Sequence, residues 1–118
     1  MKKVIFSVDV EEWWSVHSFR KLNLDNNAGQ LDDRMDVGIN LILGLLEKYN
    51  SSGIFFILGR VAEKHPDIVG KISDLGHQVG THGYAHRLIY NQTPETVSWF
   101  TIGAILFFFK IVNTKIWT

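Results

Sequence analysis

Two histidines, His82 and His86, stand four residues apart. On a helix that spacing puts both imidazoles on one side, and a turning loop can converge them equally well. Imidazole nitrogen is a common zinc ligand. A bare His-x-x-x-His is also what two partly exposed polar residues after a strand would look like. The small residues around this pair, Gly80, Thr81 and Gly83, let a backbone turn tightly beside a site. Far upstream stands an acidic cluster, Asp9-Val10-Glu11-Glu12. In extended chain Asp9 and Glu11 point one way and Val10 the other, so the two carboxylates can share a pocket. Alone, such a cluster reads as a solvated acidic turn. Joined to the histidines, one carboxylate completes a three-ligand set with an open position for water, the arrangement of a catalytic zinc. The other carboxylate stays available as a general base. A metal in such a set lowers the pKa of its water to about 7.

Other residues carry weaker signals. Arg60 follows the second expected strand closely enough to enter the same pocket. Trp13 and Trp14 are candidates to stack on a sugar face or to pack on the core. His17 and His65 read as surface residues, and His77 as the start of a strand.

These groups need elements to hold them. Residues 4–8, Val-Ile-Phe-Ser-Val, read as a short strand buried on both faces. Residues 13–33 read as a long loop. Asp32 or Asp33 can cap a helix that runs to about Tyr49, with Met35, Ile39, Ile42, Leu43 and Leu46 at helical spacing. Asn50-Ser51-Ser52-Gly53 ends it, and Gly53 suits a turn before a strand. Residues 54–58, Ile-Phe-Phe-Ile-Leu, form a second buried strand. A short helical piece follows and stops before Pro66, since the residue before proline avoids helical angles. Pro66 then opens a helix carrying Ile68, Val69 and Ile72, which ends at Leu75-Gly76. His77–Gly80 is the third strand and leads directly to His82. Strand, helix, strand, helix, strand is the signature of an α/β fold with a parallel sheet and covering helices. Ligands in such folds bind beyond the carboxyl ends of the strands, where both the acidic cluster and the histidines fall.

Composition removes several alternatives. The chain has 118 residues, enough for one small domain but well short of the roughly 250 of a closed eight-unit barrel. Net charge is zero, which argues against nucleic acid and against an anionic membrane surface. There is no cysteine, so a metal must be held by His, Asp or Glu. The apolar run at Val4–Phe6 is too short for a signal-peptide core, and a cytoplasmic protein is expected. Residues 99–112 are a dense apolar block with Phe107, Phe108 and Phe109. A buried strand or helix is one reading of it; a membrane span is marginal, since about 20 apolar residues are needed and Lys110 interrupts the run.

Taken together the motifs resemble the polysaccharide deacetylase family, also called the NodB-homology domain or carbohydrate esterase family 4. Ser7-Val8-Asp9-Val10-Glu11-Glu12-Trp13-Trp14 is similar to its first motif, a strand ending in two close carboxylates. Thr81-His82-Gly83-Tyr84-Ala85-His86 is similar to its second, and Gly53-Ile54-Phe55-Phe56-Ile57-Leu58-Gly59 to an intervening strand. Ala62-Glu63-Lys64-His65-Pro66-Asp67 and Leu75-Gly76-His77-Gln78-Val79-Gly80 match as well. The wording of the first motif looks like the subgroup linked to exopolysaccharide gene clusters. The resemblance implies a distorted (β/α) barrel with fewer than eight strands. It implies that His82 and His86 bind a divalent metal, usually zinc, with Asp9 as general base and Glu11 as carboxylate ligand. The family motif has adjacent aspartates, so the extra residue here leaves Glu12 as an alternative ligand. The implied substrate is an N-acetylated polysaccharide and the implied reaction removes the acetyl group. The family's later Arg-x-Pro, Asp/Trp and Leu-x-His segments have no counterpart in these 118 residues. The expectation is therefore that residues 1–97 form the amino-terminal part of the domain, and that 98–118 are an atypical apolar tail, read as the product of a frameshift or a premature stop. A catalytically inactive fragment that binds only a metal or a partner is the alternative.

Overall fold

The computed structural model describes residues 2–22, 31–99, 101–103 and 105–106. Three parallel strands form the sheet, in the order β1 (Ser7–Val10), β2 (Ile54–Ile57), β3 (Gln78–Thr81). Between them run α1 (Met35–Lys48), α2 (Gly59–Lys64) and α3 (Pro66–Asp74). This is the expected α/β order. Register aligns Val10 with Ile57 and Ile57 with Thr81. Glu11, Leu58 and His82 consequently leave the sheet at one level.

The core forms where the two helical stripes meet β2. Ile39, Leu43 and Leu46 of α1 and Ile68, Val69 and Ile72 of α3 are buried, together with Phe55 and Ile57. Val61 and Ala62 of α2 complete the cluster with Val10 and Leu58. Fully burying each of the larger side chains contributes about 1.5–3 kcal/mol. β2 is central and its side chains alternate between half-buried and buried.

Several boundaries differ from the expectation, for local reasons. β1 begins at Ser7, and Val4, Ile5 and Phe6 are exposed. Among the described residues β1 pairs only with β2, so it is an edge strand and only Val10 is buried in it. α1 begins at Met35, whose amide donates to Asp33 Oδ1 at 3.2 Å, so Asp33 rather than Asp32 serves the helix start. The left-handed residue after α1 is Asn50, at φ 48°, not Gly53. Gly53 is small for a different reason: a Cβ there would stand 3.2 Å from the Phe6 ring. Gly76, at φ 84°, turns the chain after α3 as the sequence suggests. The expected long loop contains short 3₁₀ turns at Trp13–Ser15 and His17–Leu22.

Residues 94–99, 101–103 and 105–106 are helical. Trp99, Ile102, Ile105 and Leu106 are exposed, which departs from the buried element that is one reading of this run. Phe107 and the residues after it lie outside the described ones. Among the described residues no helix is long and apolar enough to cross a membrane.

Candidate metal centre

The carboxyl ends of β1 and β3 are separated by β2, which is roughly 9.5 Å of sheet. Side chains close that gap. Glu11 Oε2 lies 3.1 Å from His86 Nε2 and 3.6 Å from His82 Nε2. Asp9 Oδ2 stands 3.9 Å from the same His82 nitrogen, at the edge of the group and half exposed to solvent. The two imidazole rings are 5.3 Å apart and inclined at 59°.

The backbone shapes this convergence. His82 follows β3 directly and its amide donates to the Ile57 carbonyl at 3.0 Å. Gly83 and His86 both take left-handed angles, φ 76° and 54°. For a non-glycine residue that conformation is a local cost sustained only where surroundings impose it. Here the loop is strapped down: Gly59 and Arg60 amides donate to the carbonyls of Gly83 and Tyr84 at 2.8 and 3.1 Å. The Tyr84 hydroxyl donates to Glu63 Oε2 at 2.8 Å. That bond, then burial, raises the Tyr84 pKa above its ordinary value.

The residues fit a metal. Glu11, His82 and His86 each offer one donor atom, all within 4.8 Å of one another. Glu11 Oε2 and His82 Nε2 are screened from solvent, and among the described residues, the close His86 contact aside, neither has a hydrogen-bond partner. Such orphaned atoms are costly unless something binds them. The 3.1 and 3.6 Å separations bracket the roughly 3.3 Å edge of a tetrahedron with bonds of about 2.0–2.1 Å.

Glu12 does not join this group. It is buried, and its Oε2 lies 3.1 Å from Arg60 Nε. The alternative ligand of the sequence reading is thus committed elsewhere, and Arg60 faces a carboxylate rather than the open pocket. Of the two readings of Trp14, packing on the core is the one observed: at 3% exposure it offers no face to a sugar. Trp13 is half exposed, edge-on to Trp14 and Phe19, with its indole N–H donating to the Asp32 carbonyl at 3.3 Å. His65 is not a free surface residue, since its Nε2 lies 2.9 Å from Asp33 Oδ2. His77 precedes β3 and its Nδ1 accepts from the Gly53 amide at 3.2 Å. The side chain of His17 lies outside the described ones. Two residues the sequence reading missed are Gly59 and Tyr84, which hold the histidine loop; only the glycine at a strand end hinted at it.

Two depressions flank the cluster. One, of about 410 Å³, runs along the histidine loop past Tyr84, Leu88 and Val97. The other, of about 270 Å³, lies between β1 and α1 and is bordered by Asp9, Glu11, Trp13 and Met35.

A parallel α/β sheet with a carboxylate and two imidazoles converging beyond its carboxyl edge defines a class, α/β proteins with a candidate metal site. Within it the assignment is specific. Residues 30–106 match the profile of the polysaccharide deacetylase family, and the chain belongs to that family. A peptidoglycan-N-acetylglucosamine deacetylase of Bacillus cereus is 47% identical over 45 residues, 38% of this chain and 16% of that protein. A peptidoglycan deacetylase of Helicobacter pylori is 39% identical over 52 residues, 44% of this chain and 18% of that protein. A Mycobacterium smegmatis structure described as a polysaccharide deacetylase superposes with a TM-score of 0.73 at 25% identity. That superposition covers 92% of this chain and 39% of the other. The chain therefore spans a minor part of the length of these relatives, and its sheet is part of a NodB-type barrel.

Proposed function

We propose that this chain carries the metal-holding and base-bearing part of a hydrolase that removes acetyl groups from an N-acetylated polysaccharide. The observation that carries the reading is the convergence of Glu11, His82 and His86, with Asp9 at its edge. Glu11 Oε2, His82 Nε2 and His86 Nε2 would hold a divalent cation, and two imidazoles with one carboxylate suit zinc. When bound, the metal acts as a Lewis acid that acidifies water and polarises the acetyl carbonyl. Asp9 then takes the proton of the attacking water; its half-exposed carboxylate can reach solvent and substrate alike. Trp13 offers an exposed indole at the mouth of the β1 depression, a surface on which a sugar ring can stack.

Two polymers are supported from different sides. The Val-Asp-Val-Glu-Glu-Trp wording of the first motif points to an exopolysaccharide, and the similar proteins are named as peptidoglycan deacetylases. Calorimetry with Zn²⁺ on the parent chain and on His82→Ala tests the site: loss of tenfold or more in affinity is expected, and equal binding refutes the ligand assignment. Acetate release from N-acetylated glucan and from peptidoglycan fragments then separates the two polymers. Zinc binding without acetate release from either supports instead a chain that binds metal and does not turn over.

A further inference from the structure

Glu12 and Arg60 have a place in the site that neither the metal nor the base accounts for. The ligands come from two segments far apart in sequence, the end of β1 and the loop after β3. Both segments are tied to one short stretch, the start of α2. On one side Arg60 Nε meets Glu12 Oε2 at 3.1 Å. On the other the Arg60 amide donates to the Tyr84 carbonyl at 3.1 Å, and the Gly59 amide to the Gly83 carbonyl at 2.8 Å. The main chain of Glu12 is fixed as well, its carbonyl accepting from the Ser15 amide at 2.9 Å and the Ser15 hydroxyl at 2.7 Å. Glu11 is thereby held from both neighbours, because the Val10 carbonyl accepts from the Leu58 amide at 3.2 Å.

Resting on the metal-site reading above, we infer that the Glu12–Arg60 ion pair is a positioning device that aims Glu11 at the histidine pair. The pair is poorly explained as a stabilising element alone. Glu12 is 8% exposed and Arg60 23%, so both lose hydration, and such partly buried pairs are often replaceable by apolar residues without loss of stability. What an apolar replacement cannot do is fix direction. Glu11 sits one residue past the last residue of β1, so its main chain is tied to the Leu58 amide at the Val10 carbonyl and, on its other side, to the Ser15 turn rather than to the sheet. The ion pair supplies the missing constraint, and through the Arg60 amide it is registered against the loop that carries His82 and His86. Partners that orient metal ligands typically affect metal affinity by about 10–100-fold.

The test uses the full chain with Zn²⁺ and Co²⁺ as probes. Zinc affinity is measured by calorimetry, site geometry by the visible absorption of Co²⁺, and fold by thermal unfolding. The variants are Glu12→Gln and the apolar double exchange Glu12→Leu with Arg60→Met; the double exchange removes the pair without leaving either charge buried alone. The positioning role expects both variants to bind Zn²⁺ at least tenfold more weakly, with altered Co²⁺ bands, while the double variant unfolds close to the parent. The charge-swapped variant, Glu12→Arg with Arg60→Glu, is expected to recover part of the affinity. Parent-like zinc affinity and Co²⁺ bands in a folded double variant would overturn the positioning role while leaving the metal site intact. Failure of the parent chain itself to bind Zn²⁺ would overturn the site reading and this inference with it.

Discussion

Gly59 is where packing and the candidate metal centre can be separated by a single methyl group. It is the first residue of α2 and lies against the histidine loop. A Cβ at this position would stand 2.6 Å from Tyr84 Cδ2 and 3.3 Å from Tyr84 Cα. Carbons in ordinary contact settle at about 3.5–4.0 Å. The ring must therefore move by roughly 1 Å, and the backbone by a few tenths. The ring is not free to swing, because its hydroxyl is bonded to Glu63. Overpacking of this kind costs about 1–3 kcal/mol, and the better helix propensity of alanine returns at most about 1 kcal/mol. A net loss of about 1–2 kcal/mol is expected for Gly59→Ala. His86 lies two residues beyond Tyr84 on the same loop, so zinc affinity should fall by about tenfold. Urea unfolding and zinc calorimetry on Gly59→Ala, Tyr84→Ala and the double variant form a cycle. Removing the ring should shrink the stability cost of the alanine to about 0.5 kcal/mol or less. An equal cost in both backgrounds, or unchanged zinc affinity in Gly59→Ala, would refute the clash as the cause.

Two further outcomes test the frame around the site. Burial raises the Asp33 pKa, but the hydrogen bonds from Lys64 and the Met35 amide, with His65 beside them, outweigh it and hold the carboxyl below its ordinary value. A depressed folded pKa contributes stability above the unfolded value of about 3.9 and loses it as pH falls through the folded one. The urea midpoint of Asp33→Asn should thus lie below the parent's at about pH 5–7 and converge with it in more acidic solution; a gap that persists unchanged below pH ~2 would show that this carboxylate is not the source. Phe55 is 0% exposed on the central strand, between Val8 and Val79 in register and against the His77 ring. Phe55→Ala should cost about 3–5 kcal/mol, most of the stability of a small domain, and a loss under about 1 kcal/mol by urea unfolding would place the core elsewhere.

The parts of the fold that follow from periodicity were readable from the residues. The stripe Ile39, Leu43, Leu46 gave α1, Pro66 and Gly76 bracketed α3, and the apolar run at Ile54 gave the central strand. The placement of Glu11, His82 and His86 beyond the strand ends followed from strand polarity, whereas Asp9, expected beyond β1, lies within it. What could not be read depends on contacts between distant segments. Trp14 and Trp13 are neighbours of one type, and only tertiary packing decides that one is buried and the other half exposed. His65 meets Asp33 across 32 residues. Tyr84 packs on Gly59 only because the histidine loop lies over the start of α2, and neither residue type announces that.

Glu11 and Glu12 show the same boundary within one dipeptide. Strand alternation places Asp9 and Glu11 on one side and Glu12 on the other, and the oxygens of the first two do lie 3.9 and 3.6 Å from His82 Nε2. Alternation alone, however, leaves Glu12 free to curl back, since it lies beyond β1. A carboxylate buried to 8% exposure needs a cationic partner, and Arg60 is in reach at the start of α2, just past the adjacent strand. Once Glu12 is satisfied there, its neighbour is the acid left facing the imidazoles. What separates these two chemically identical side chains is thus a contact with an arginine 48 residues away, and sequence spacing does not encode it.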